Sequence, residues 1–169
     1  MLLVGVELGG TSSSVCVASC AAPGVLLARH TLPTSAPEST LRALAAWAAD
    51  QQLAHASPSN QEEHLHHHQH QSHQHHHHHD SDHQSHQHEH QPVHAGVVAV
   101  GIASFGPVCL DVSSPDYGRV TTTPKPLWAG ADVVGAFRSA FPHAKIAFDT
   151  DVNAPALIEA STSGLSDLC

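Results

Sequence analysis

Apolar and polar positions alternate from the start of the chain. Over Leu2–Leu8, Val4, Val6 and Leu8 alternate with Leu3, Gly5 and Glu7, a period of two that predicts a strand. Gly9-Gly10-Thr11 interrupts the run, and alternation resumes over Ser13–Ser19 with Val15 and Val17 on one face. A third run, Val25–Thr31, follows Pro23-Gly24. Three strands joined by tight turns predict an antiparallel meander. The period then changes: Leu41, Leu44, Ala45 and Ala48 recur at helical spacing. Ser35-Ala-Pro-Glu38 ahead of them has the form of a capping box, with Pro37 in the first turn. This helix is expected to fade near Leu53.

Residues 54–94 break the pattern. They are His, Gln and Ser with almost no apolar content, so they cannot bury enough surface to offset the entropy of ordering. Disorder is the expectation there. Val97–Ile102 resumes a nearly continuous apolar run, which predicts a central strand buried on both faces. From Ser104 to about Ala129 the chain is rich in Gly, Pro and Ser and reads as loop. Asp132 is expected to cap a helix whose Val133, Phe137 and Phe141 share a face before Pro142 ends it. Lys145–Phe148 predicts a short strand, and Asn153 the cap of a last helix with Pro155 in its first turn. The order βββ-α-insert-β-α-β-α indicates an α/β fold.

Composition alters this picture at one place. All 19 histidines except His30 and His143 lie between His55 and His94. Net charge is −9 with histidines neutral and moves to about +10 with all of them protonated, so the sign of the molecule depends on pH. Six Lys and Arg against 15 Asp and Glu exclude a basic nucleic-acid footprint. No apolar run is long enough to cross a bilayer, and MLLVGVELGG lacks the basic start and cleavage site of a signal peptide. Cys16, Cys20, Cys109 and Cys169 form no disulfide framework, which suits a reducing compartment. The cytoplasm, or an organelle stroma, is the expected location.

Four segments could carry chemistry. The turn Glu7-Leu-Gly-Gly-Thr11 exposes backbone amides that could wrap a phosphate, with the Thr11 hydroxyl as a further donor. It lacks the G-K-[ST] of a Walker A loop, and an ordinary Gly-Gly hairpin would look the same. Asp149-Thr-Asp151-Val-Asn153 sits where a strand hands over to a helix, the end of an α/β sheet where ligands bind. A carboxylate there could take a proton from a substrate hydroxyl, and the helix N-terminus would favour its charge. Plain helix capping explains the same residues. Gly106, after the buried strand, leaves room for a ligand to approach the backbone or simply makes a turn. Thr121-Thr-Thr-Pro-Lys-Pro-Leu-Trp128 offers hydroxyls and an indole that suit a sugar, or a proline-rich loop packed by Trp128.

In order and spacing, GVELGGT, GIASFGPV, YGRVTTTPKPLW-(x)4-DVVGAF and FDTDVNAPALIE resemble the ROK sugar kinases, and most closely their fructokinase branch, which commonly has Glu at the position of Glu7. The likeness runs from Leu2 to about Glu159 and leaves out the His/Gln insertion. It implies the N-terminal lobe of an actin-like, ribonuclease H-like ATPase fold, divided as residues 1–53, an insertion at 54–94, and residues 95–169 running into the start of a second lobe. It implies ATP-dependent phosphorylation of D-fructose, or a related hexose, to fructose 6-phosphate with Mg²⁺. On this resemblance Asp151 is the catalytic base. Glu7, Gly9, Gly10 and Thr11 form the nucleotide turn, with Glu7 helping to hold Mg²⁺ through water, and Gly106, Thr122 and Thr150 face the sugar.

The chain also departs from the family pattern. It has no second Gly/Thr phosphate loop and no His/Cys zinc cluster, so no structural zinc is assigned and no metal ligands are named. Ser12 replaces a Lys that commonly follows G-G-T, while Pro155 and Ile158 stand where Ala and Gly are usual. The chain is therefore expected to be the incomplete N-terminal portion of a kinase, phosphorylating no sugar at a useful rate as written. Two other readings stand beside it: a catalytically silent sugar-binding remnant or regulator, and a His-rich metal-binding protein. The histidine tract would chelate Zn²⁺, Ni²⁺ or Cu²⁺ weakly, but its irregular spacing suits a tolerated surface insertion better. A homodimer is left open.

Overall fold

The computed structural model describes residues 1–56 and 96–162. Within them run β1 (Leu2–Leu8), β2 (Ser12–Ser19), β3 (Ala22–Pro33), α1 (Pro37–Ala56), β4 (Val97–Ser104), α2 (Val133–Ala140), β5 (Lys145–Thr150) and α3 (Asn153–Thr162). The strands form a single sheet in the order β3-β2-β1-β4-β5. β1, β2 and β3 pair antiparallel, as the tight turns required. β4 joins β1 in parallel and β5 joins β4 in parallel. The carboxyl ends of β1, β4 and β5 therefore share one end of the sheet, and that end positions everything below.

One face of the sheet carries the core. Leu2, Val4, Val6 and Leu8 of β1 are buried with Val15 and Val17, Val100 and Ile102, and Phe148. Against them pack the α1 stripe Leu41, Leu44, Ala45 and Ala48 and the α2 face Val133, Val134 and Phe137. Each large aliphatic or aromatic side chain so buried contributes about 1.5–3 kcal/mol. The opposite face corrects the expectation for β4. Gly101 is exposed and Ala103 only half-buried, so this strand is covered on one side. The other side is built from residues too small to fill it. Gly5, Gly101, Ala103 and Ala147 floor a cavity of about 650 Å³ walled by Leu26 and Leu157.

The helix termini differ in detail from expectation. α1 runs to Ala56, beyond Leu53. Its reach-back contact is made by Thr40, whose Oγ1 accepts the Ser35 N–H at 3.1 Å, not by Glu38. Thr40 is buried, so its hydroxyl is held ready where an exposed Glu would swing freely. α2 follows the sequence: the Asp132 side chain accepts from Gly135 N at 2.7 Å, and Phe141 closes the helix through a hydrogen bond to Phe137 O. Asn153 does not cap α3 but is its first residue. The cap is made by Thr150.

Trp128 settles the proline-rich loop. Its indole is fully buried and donates from Nε1 to Ser35 O at 2.7 Å, with its ring edge-on to Phe105 at 4.9 Å. The indole therefore packs the loop onto the start of α1 and has no face to offer a sugar. Cys16, Cys20 and Cys109 are free thiols. Among the described residues, no helix is long and apolar enough to cross a membrane. The expectations for the His/Gln tract over residues 57–94 lie outside the described residues.

Candidate active site

Leu8, Ser104 and Thr150 stand in one row across β1, β4 and β5. The chain leaves the sheet together at the next three residues, Gly9, Phe105 and Asp151. Two hydrogen bonds hold this edge: Phe105 N–H to Leu8 O at 2.8 Å and Asp151 N–H to Ser104 O at 2.9 Å. The Gly-Gly turn and Asp151 thus emerge from the same end of the sheet, two strand spacings or about 10 Å apart.

The turn is shaped by where its carbonyls go. Gly9 O accepts the Thr34 hydroxyl at 2.7 Å, and Thr11 O accepts the Thr34 N–H at 2.9 Å. Gly10 O accepts from Lys125 Nζ. Thr34 spends its proton on Gly9, so the buried Ser13 hydroxyl, 2.6 Å away, must donate to Thr34. All three carbonyls are drawn onto protein donors. No acceptor among the described residues takes the amides of Gly10 and Thr11. Gly9 is required by its own turn, because a Cβ there would lie 2.6 Å from Ser12 O. Gly10 is different: a Cβ would meet nothing within 4 Å, so its bare backbone faces open space. Thr11 is exposed beside it.

Asp149, Thr150 and Asp151 divide their labour. Asp149 Oδ1 accepts the Thr150 N–H at 2.7 Å and Asn153 Nδ2 at 3.0 Å. Thr150 Oγ1 accepts the Asn153 N–H at 3.0 Å and keeps its own proton to donate. Capping therefore falls to Thr150, braced by Asp149, and Asp151, itself half-buried, is left out of it. Gly106 and Thr122 each adjoin a residue of a short paired stretch. Val108 bridges antiparallel to Val120, and Pro107 O accepts both the amide and the hydroxyl of Thr121, at 2.8 and 3.0 Å. Gly106 and Thr122 are the next residues on the two strands. A Cβ at Gly106 would press on Val108 N at 3.2 Å, so the bend itself favours glycine there. Farther round the same loop, the Ser113 hydroxyl on Asp111 at 2.6 Å holds that carboxyl below the usual range.

Glu7 leaves the turn on the open face of the sheet. Its Oε2 accepts the Ser14 hydroxyl at 3.3 Å, and Ser14 Oγ in turn accepts from Arg29 Nη2 at 3.3 Å. Asp149 lies on the same face in the same row, with Ala103 between them. Sequence reasoning gave no role of their own to Asp149, the Arg29–Ser14 pair or Lys125. The first was legible: extending the period of two through Thr150 puts Asp149 on the face of Ala147. Lys125 gave no signal, since its contact spans 115 residues.

Comparison with known proteins places the chain in a family. The ROK family model matches residues 54–167. The fructokinase of Zymomonas mobilis subsp. mobilis (strain ATCC 31821 / ZM4 / CP4) is 56% identical over 59 residues, 35% of this chain and 19% of its own length. That of Lactococcus lactis subsp. cremoris is 43% identical over 72 residues, 43% of this chain and 24% of its own. The matches thus span about a fifth to a quarter of those relatives. Among solved structures, the ROK hexokinase of Thermus thermophilus superposes with a TM-score of 0.55 and 21% identity, over 95% of this chain and 38% of that one. A ROK family glucokinase from Streptomyces griseus, solved with glucose and AMPPNP, gives 0.52 and 20%, over 95% and 36%. The fold is theirs, the actin-like ATPase fold that the sequence motifs implied.

Proposed function

The chain belongs to the ROK family, and from that membership we propose that it carries the nucleotide turn and the catalytic base of an ATP-dependent sugar kinase acting on a hexose, with fructose the preferred acceptor. One observation supports the reading above the others. A glycine turn with its carbonyls pinned and its amides free shares a sheet end with a carboxylate that takes no part in helix capping. The first is what phosphate oxygens need, and the second is what a hydroxyl proton needs.

The reaction then divides as follows. The amides of Gly10 and Thr11 and the Thr11 hydroxyl donate to phosphate oxygens of ATP. Thr122 and Thr150 donate to, or accept from, hydroxyls of the sugar, and Gly106 keeps the approach clear. Asp151 accepts the proton of the attacking sugar hydroxyl as its oxygen bonds to the γ-phosphorus and the bond to ADP breaks. Such a transfer depends chiefly on alignment, which the Leu8–Ser104–Thr150 row supplies by fixing both loops to one sheet. Mg²⁺ suits the donor set: Glu7 and Asp149 present hard carboxylate oxygens on one face, and this ion takes few protein ligands beside phosphate. When bound, it neutralises phosphate charge. Fructose as acceptor rests on the two relatives named fructokinase.

The test is to incubate the chain with Mg-ATP and fructose, reading fructose 6-phosphate by a coupled dehydrogenase, with Asp151→Asn in parallel. Turnover that Asp151→Asn removes would establish the kinase and overturn the expectation that this length of chain phosphorylates no sugar at a useful rate. Binding of fructose and nucleotide at this edge without turnover would leave a sugar-binding protein, and binding of neither would end both readings.

A further inference from the structure

A nucleotide brings several negative charges, and the sheet end that would receive it is already acidic, with Glu7, Asp149 and Asp151 on one row or just beyond it. A cation is needed there. The chain has six Lys and Arg in all, and every one lies in the described residues. Arg29 is turned to Ser14. Arg119 is spent on Asp132 and on Gly130 O. Arg42 and Arg138 stand on α1 and α2, and Lys145 opens β5 at the far end of the sheet. Only Lys125 touches the glycine turn.

Its position is built. Lys125 N–H is held by Thr123 Oγ1 at 3.2 Å, and its carbonyl accepts from Trp128 N at 3.3 Å. Trp128 is in turn bonded to Ser35. The side chain passes Phe105, with Nζ 6.0 Å from the ring centroid, and one donor reaches Gly10 O. An ammonium group has three donors, so two are left for other acceptors beside the open amides of Gly10 and Thr11. Ser12, next along the turn, is neutral.

We propose that Lys125 contacts the nucleotide phosphates, so that one loop holds both the phosphate cation and the sugar-facing Thr122. This rests on the kinase reading above. It adds a specific consequence: the loop Thr121–Trp128 couples the two substrates, because moving it for one displaces a contact to the other.

The probes are Mg-ATP and inorganic tripolyphosphate, added to the full chain at pH 8, where histidines are neutral. The chain has two lysines, Lys125 and Lys145, so ¹³Cε-lysine labelling yields two assignable signals. Both probes are expected to shift the amides of Gly10 and Thr11 and the Lys125 signal, and to leave Lys145 unmoved. Lys125→Met, which keeps the stem over Phe105, is expected to weaken both probes about tenfold or more, and Lys125→Arg to recover most of the loss. If the amides shift while the Lys125 signal stays still, or if Lys125→Met binds as tightly as the parent, the proposal is overturned and the kinase reading stands. If neither probe moves the amides of the parent chain, the nucleotide turn and the role of Lys125 fall together. The labelling arm needs no variant, so a substitution that fails to fold does not shelter the idea.

Discussion

Glu7 and Asp149 flank Ala103 from opposite sides in a single row of the sheet, one on β1 and the other on β5. Their strands are separated in sequence by α1, the histidine tract and α2, yet the parallel pairing aligns them on one face. Two strand spacings, about 10 Å, separate their backbones, with a methyl group between, and leave room for a hydrated cation. Mn²⁺ presented as its ATP complex is therefore expected to broaden the amide signals of Glu7, Ala103 and Asp149 before those of Asp111 and Asp116. Glu7→Gln should remove the effect. Ser14→Ala, which takes away the hydroxyl that orients Glu7, should weaken apparent metal affinity by about tenfold. Equal broadening at Asp111 would count against the row as a metal site.

The two glycines of the turn should part company when substituted. Gly9→Ala forces a Cβ to within 2.6 Å of Ser12 O, a backbone atom that cannot swing away. It should cost about 1–3 kcal/mol in urea denaturation. Gly10→Ala meets nothing within 4 Å and should leave stability within about 0.5 kcal/mol. Its methyl group would stand in the phosphate approach, so nucleotide affinity should fall while the denaturation midpoint holds.

How far the sequence was legible follows from which contacts are local. β1 could be read to the residue, because Val4, Val6 and Leu8 are large on the buried side and Gly5 and Glu7 mark the other. The covered face of α1 was equally plain from Leu41, Leu44, Ala45 and Ala48. β4 was misread because Ala99, Gly101 and Ala103 count as apolar in a pattern while being too small to bury anything. Hydrophobicity reports that a residue tolerates burial, and side-chain volume decides whether a face closes. At the candidate site, Asp151 and Gly9-Gly10 could be picked out as candidates through strand-end and turn chemistry. Their common edge was not readable from the residues, since it requires β4 to slot between β1 and β5. Thr34, which pins two carbonyls of the turn, and Lys125, which pins the third, are ordinary loop residues until the fold brings them there.

Trp128 ties the Thr121–Trp128 loop to the start of α1 through a single buried indole N–H. Trp128→Phe preserves most of the packing against Phe105 but leaves Ser35 O without that donor. A loss of about 1–3 kcal/mol is expected in thermal or urea unfolding, and Trp128→Ala should cost about 3–5 kcal/mol. Because the same loop carries Thr122 and Lys125, Trp128→Phe should also weaken fructose and nucleotide together. A variant that lost stability while keeping both affinities would show that the tie serves folding alone.

Neighbouring carboxylates at the start of α3 offer the sharpest separation of structure from chemistry. Asp149 Oδ1 holds the Thr150 N–H and the Asn153 side chain, so Asp149→Ala removes two hydrogen bonds that brace the capping Thr150 and should cost about 1 kcal/mol in unfolding experiments. Asp151 contributes its backbone N–H to Ser104 O, a bond that a side-chain substitution leaves in place. Asp151→Asn should therefore unfold within about 0.5 kcal/mol of the parent and bind fructose and Mg-ATP with similar affinity. If Asp151 is the base, phosphoryl transfer should nonetheless drop by about 10²–10⁴-fold, in the turnover number and not in the affinity for sugar. The reverse pattern, with Asp149→Ala catalytically dead at full sugar and nucleotide affinity and Asp151→Asn active, would move the base two residues back along the chain, onto the open face of the sheet beside Ala103.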